Sequence, residues 1–85
     1  MHVLVEGRVQ GVFYRKWMQG EAQMLGVSGW VRNCADGRVE AVVVGGQEAV
    51  EALLERCHDG PAAAGVESVL VSPTRAPDGE GFLVR

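Results

Sequence analysis

Hydrophobic and polar residues change period several times along this chain, and each change marks an element. Val3, Leu4 and Val5 belong to a β-rich run that ends in glycine, which predicts a first strand over about residues 2–8. From Tyr14 the apolar positions Tyr14, Met18, Ala22 and Leu25 recur at steps of four, four and three, the spacing of one helical face. Gly26 supplies the stop of this helix. Gly20 inside it costs about 1 kcal/mol against alanine, and Trp17 lies off the stripe, where partial burial suits it. Val27 to Asn33 and Arg38 to Val44 read as the second and third strands, with Cys34-Ala35-Asp36-Gly37 as their hairpin loop. In the third, Val39, Ala41 and Val43 alternate with Arg38, Glu40, Val42 and Val44, so one face is wholly apolar and the other mixed.

Gly45-Gly46 breaks that strand, and Val50, Leu53, Leu54 and Cys57 form the stripe of a second helix over about residues 47–57. Glu48 near its start and Arg56 and His58 near its end complement the helix dipole. Asp59-Gly60-Pro61 ends it, Val66 to Ser72 is a fourth strand, and a Pro- and Gly-containing loop leads to a short last strand, Phe82-Leu83-Val84. The order β-α-β-β-α-β with a short extra C-terminal strand is that of an α+β, ferredoxin-like α/β sandwich, two helices covering one face of an antiparallel sheet. In that fold strands one and two run the same way with strand three between them. The loop after strand one and the end of strand two then share an edge, about 10 Å apart at two strand spacings.

Eighty-five residues make a single domain over 1–85 with one core. Hydrophobic residues at 47 % and charged ones at 22 % exclude disordered and fibrous classes. No apolar run reaches the length of a membrane span and the start does not resemble a signal peptide, so a cytoplasmic monomer is expected. Cys34 and Cys57 have no metal-type spacing to each other or to His2 and His58, so free thiols and no metal or other cofactor are expected. The net charge of −3 argues against a general nucleic-acid surface. It is unevenly divided, however: residues 1–38 carry five basic and three acidic side chains, residues 39–85 three and eight. The first half can therefore draw a small anion while the second keeps the protein soluble, although a solvated acidic helix face explains the same division.

Candidate chemistry lies in Gly7-Arg8-Val9-Gln10-Gly11-Val12-Phe13-Tyr14-Arg15, between the first strand and the first helix. Its glycines can take positive φ, so that successive N–H groups form a nest, and the helix adds its own unpaired N–H groups. Arg15 in the first helical turn supplies a planar fork for two oxygens of one phosphate. The spacing alone equally suits an ordinary β-to-α connection, and it matches neither the P-loop nor the dinucleotide fingerprint.

The stretch Val5 to Arg15 closely resembles the N-terminal signature of acylphosphatases, and Gly29-Trp30-Val31-Arg32-Asn33 followed by Asp36-Gly37-Arg38-Val39-Glu40 resembles their second block. The resemblance spans nearly all of the chain, with only the last dozen residues matching loosely. It implies hydrolysis of the carboxyl-phosphate bond of an acyl phosphate, with no cofactor. It also assigns roles: Arg15 as the phosphate-binding arginine, Asn33 as the asparagine that orients the attacking water, and the amides of Val9, Gln10, Gly11, Val12, Phe13 and Tyr14 as the phosphate cradle. Asparagine at a strand end is by itself more often structural; the surrounding motif is what singles out Asn33. No histidine or carboxylate is expected near the site, so a phosphate oxygen of the substrate is expected to accept the water proton. Cys34 follows Asn33 where the family often has a small hydroxyl residue, which weakens one supporting hydrogen bond.

A non-catalytic phosphate-binding or accessory module is the alternative, since the same fold hosts binding domains and an acylphosphatase-like domain occurs in hydrogenase maturation proteins. RNA binding would place aromatics on the central strands, and His2 to Arg8 and Arg38 to Val44 hold none. A metal carrier would place paired cysteines in the loop that Arg8 to Tyr14 form without any.

Overall fold

A computed structural model describes residues 1–85. Strand β1 (His2–Arg8) leads through the glycine loop into helix α1 (Tyr14–Leu25), followed by β2 (Ser28–Asn33), β3 (Val39–Val44), helix α2 (Gln47–Cys57), β4 (Gly65–Ser72) and β5 (Phe82–Val84). Every expected element is present, with starts shifted by one residue at β2, β3 and β4. The sheet order is β4-β1-β3-β2-β5. β3 pairs antiparallel with both β1 and β2, so these two run the same way as expected. The sheet is mixed rather than purely antiparallel, because β5 pairs parallel with β2. No helix is long and apolar enough to cross a membrane.

Register follows from the alternation of apolar positions. Val3, Ala41 and Val31 lie in one row across β1, β3 and β2, and all three are fully buried. A slip of one residue would turn each of these side chains to the open face. The helices close the other side of this layer with Tyr14, Met18 and Ala22 from α1 and Val50, Leu53 and Cys57 from α2. These are the residues that the helical spacing picks out, apart from Leu25 and Leu54, which pack at the margin. Gly26 takes φ 73° at the end of α1, and the next residue's N–H, on Val27, donates to Ala22 O at 2.8 Å. This wrap closes the helix and starts β2.

Two packed contacts tie the layers. The Tyr14 hydroxyl donates to the Cys57 carbonyl at 2.7 Å in the interior, and Gln19 Nε2 donates to Phe82 O at 2.8 Å, pinning β5 under α1. Inside β2, Gly29 sits at φ 134°, and a Cβ there would lie 1.8 Å from the carbonyl oxygen of Val42. Gly29→Ala is therefore expected to lose about 3 kcal/mol or more in urea unfolding, or to fail to fold. Wild-type stability in that variant would mean that β2 and β3 do not approach as closely as this.

Burial pushes the pKa of the Cys57 thiol up to about 11 from an ordinary 9.0 and likewise makes the Tyr14 phenol harder to ionise. Stability that depends on the neutral thiol is complete below pH 9 and is lost as pH rises from 9 towards 11, at up to about 1.4 kcal/mol per pH unit. Unfolding free energy followed across that range should fall more steeply in the wild type than in Cys57→Ala, by about one proton. Parallel slopes would contradict a buried, protonated thiol.

Candidate active site

The loop from Val9 to Phe13 is shaped by its own backbone. Gly11 takes φ 75° and Phe13 takes φ 64°, the latter the one non-glycine residue with positive φ. A bulky side chain in this left-handed region costs about 1–2 kcal/mol. The effect is to turn the chain so that none of the N–H groups of residues 10–16 donates to a main-chain oxygen, while Phe13 O accepts from Trp17 N at 2.9 Å and starts the helix. The N–H groups of the loop and of the first turn of α1 are therefore left without main-chain partners.

Side chains of the loop serve a different purpose. Val9 is buried in the core and Val12 packs against it. The Tyr14 ring is wholly buried beneath α1. Gln10 reaches across to the β2–β3 hairpin, where Nε2 donates to Cys34 O at 2.7 Å and Arg38 O at 3.0 Å. It thus joins the loop to the turn that follows Asn33. That turn is itself held by Cys34 N donating to Arg38 O and by Arg38 N donating to Asp36 Oδ1.

Asn33 occupies an inward-facing position of β2, opposite the fully buried Val39 and in the same row as Val5. A polar residue stands where the alternation would place another core side chain. Its Oδ1 is buried and has no hydrogen-bond partner. An unsatisfied buried carbonyl oxygen is costly, about 1–3 kcal/mol, so its persistence points to a partner supplied from outside the chain.

Arg15, half-exposed on the first turn of α1, and Asn33 line the same two cavities. One, of about 480 Å³, also exposes Gly11, Phe13, Lys16 and Val84 and lies over the free amides. The other, of about 700 Å³, opens on the far face of the sheet, lined by His2, Trp30, Arg32, Glu40 and Arg85 among others. One terminal nitrogen of the Arg15 guanidinium donates to the main-chain oxygen of Arg85 at 2.8 Å, leaving its other N–H groups for a ligand. Arg85 is placed there by its own N–H, which donates to Val31 O at 2.8 Å and extends the β2–β5 ladder.

The structure thus brings Arg15 and Asn33 into one cavity with Val9, Gly11, Phe13 and Tyr14 of the loop, whereas Gln10 and Val12, also singled out by the sequence, do not line it. It corrects the expectation that no histidine or carboxylate lies nearby, since His2 and Glu40 line the second cavity. They are committed to each other: His2 Nε2 donates to Glu40 Oε2 and Arg32 Nε to Glu40 Oε1, both at 2.6 Å. These bonds, that from His2 foremost, hold the Glu40 carboxyl below the usual carboxylate range despite partial burial. His2 aligns with Val42 and Asn33 with Val39, three residues apart along β3 and on the strands either side of it, so about 14 Å from each other. The braces from Gln10 and Arg85 left no signal in the sequence. Trp30 and Arg32, by contrast, could have been placed together on the open face from the alternation around Val31.

The family model of acylphosphatases matches residues 1–84. A curated acylphosphatase of Rhodospirillum rubrum is 51 % identical over 94 % of this chain and 88 % of its own length. Among solved structures, an acylphosphatase from Coxiella burnetii superposes with a TM-score of 0.94 at 38 % identity, covering 99 % of this chain and 88 % of that one. An acylphosphatase from Bacillus subtilis gives 0.92 at 34 % identity, covering 99 % and 94 %.

Removing the Gln10 side chain tests the brace between loop and hairpin. Gln10→Ala is expected to lower the unfolding free energy by about 1–2 kcal/mol, and Gln10→Glu by more, because a carboxylate would face two carbonyl oxygens with nothing to donate. Equal stability of all three proteins in urea titration would remove Gln10 from that role.

Proposed function

This chain belongs to the acylphosphatase family, and from that premise we propose how its site hydrolyses the carboxyl-phosphate bond of an acyl phosphate. The phosphoryl oxygens sit against the free amides of residues 10–16, with the Arg15 guanidinium across two of them. The anchored edge of Arg15 fixes the plane of the fork, and the helix N-terminus adds the positive end of its dipole. Lys16 at the cavity rim raises the local positive charge further.

The observation that carries the reading is the buried, unpartnered Oδ1 of Asn33 beside that anion site. It accepts a hydrogen bond from a water molecule and so aims a lone pair of that water at phosphorus. The water oxygen forms the new bond to phosphorus while the bond from phosphorus to the acyl oxygen breaks, its electron pair leaving with the carboxylate. The released proton passes to a phosphoryl oxygen. Because the leaving group is a stable carboxylate and the transition state is loose, positioning and charge supply the catalysis. Both carboxylate oxygens of Glu40 already accept hydrogen bonds, which lowers its basicity, and His2 is two strands and three residues away from Asn33, so neither is the base.

Arg15 and the amides furnish the positive charge that a metal would otherwise provide, so the reaction proceeds without one. The groups of the site rest on the one hydrophobic core of this chain, which supports a single domain acting as a monomer.

Loss of benzoyl phosphate absorbance, followed with a chelator present, tests these assignments. Arg15→Lys is expected to lose about a hundredfold or more in kcat/KM, since a point charge cannot reproduce the fork. Asn33→Ala should lower kcat by about 10²–10³ with little change in KM, as expected for a group that orients water rather than holds substrate. Near-normal turnover in either variant would refute its role. A steep dependence of rate on a protein group titrating near pH 7 would refute transfer of the proton to substrate.

A further inference from the structure

The side chain of Phe13 has no structural reason to be where it is. The residue is 82 % exposed, the largest such fraction among the exposed large hydrophobic residues, and it contributes nothing to the core. Its backbone sits at φ 64°, a conformation that glycine would adopt without strain. The cradle thus carries both a strained backbone and an aromatic surface in contact with water, although the neighbouring loop residues Val9, Val12 and Tyr14 all turn inward.

The phenyl ring stands at the rim of the cavity that also exposes Arg15 and Asn33, with the half-exposed Val84 of β5 on the same wall. An anion seated on the loop amides leaves its acyl substituent to emerge past this rim. The cavity is lined both by charged side chains, Arg15 and Lys16, and by the apolar pair Phe13 and Val84, one kind for each half of such a substrate.

We propose that Phe13, supported by Val84, is the specificity-determining residue of the site, an apolar shelf that receives the acyl group and favours substrates with an aromatic or extended apolar acyl moiety. The inference rests on the reading of the site as an acyl phosphate hydrolase. Contact with the ring excludes water from the acyl group and strengthens binding in proportion to the apolar area covered. The positive φ serves to aim the ring outward at the ligand, where a helical or extended residue would aim it elsewhere.

The test is the ratio of kcat/KM for benzoyl phosphate to that for acetyl phosphate, measured in the wild type, Phe13→Gly, Phe13→Leu and Val84→Thr. Glycine keeps the backbone conformation and removes the ring; any change it makes in the cradle acts on both substrates and cancels in the ratio. The difference in leaving-group acidity cancels between variants in the same way. The ratio is expected to fall about tenfold in Phe13→Gly, to be largely kept by Phe13→Leu, and to fall by a smaller factor in Val84→Thr. An unchanged ratio in Phe13→Gly overturns the shelf and leaves the reaction standing. Hydrolysis of neither substrate by the folded wild type overturns the reaction and the shelf together.

Discussion

Everything at this site depends on the register of β3 between β1 and β2. Pairing Val5 with Val39 and Val39 with Asn33 places the end of β2 two strands from the end of β1, in the same row and on the helix-covered face. The same register buries Val3, Ala41 and Val31 one row further in, so it is enforced by the core. Asn33 inherits its burial from this row. Its amide is held inward by the pleat of a strand whose other inward positions are apolar, which is why its oxygen is shielded from bulk water yet open to the cavity.

Around that fixed row the site is assembled by braces made from groups with little chemical individuality. The Gln10 amide joins the loop to the hairpin through two carbonyl oxygens, and the main-chain oxygen of Arg85 holds one edge of the Arg15 guanidinium. The second brace exists only because β5 adds in parallel to β2, with Gln19 securing its start. A short terminal strand thereby sets the orientation of an arginine seventy residues earlier. On the other face of the sheet, the Glu40 carboxylate gathers His2 and Arg32, while the Trp30 ring lies 4.7 Å from the Arg85 guanidinium. These contacts steady the segment that supports Arg15 from behind.

The energetic character of the site is opposite to that of the core. A left-handed Phe13 and a buried Asn33 oxygen with no partner in the chain are each unfavourable. They are tolerated because the sheet and the two helices over-determine the positions of the flanking residues. In the proposed mechanism a bound anion and its water would satisfy the amides and the Asn33 oxygen, while the strain at Phe13 is carried by the fold throughout. Such preorganisation is how fixed dipoles stabilise developing charge without reorganising at the moment of reaction.

Local sequence was enough for the elements and for the family. The four-four-three spacing of Tyr14, Met18, Ala22 and Leu25, the alternation from Val39 to Val43, and the glycines that interrupt them are short-range signals, each created within one turn or one pleat. The two motifs around Arg15 and Asn33 carried the family because residue types at fixed short spacing are written directly in the chain. Tertiary structure alone decided the parallel placement of β5, the clasp of His2 and Arg32 on Glu40, the reach of Gln10, and the exposure of Phe13. A three-residue strand has too little pattern to choose its partner or direction. Contacts between residues more than twenty positions apart depend on how the sheet is ordered, which no local period encodes.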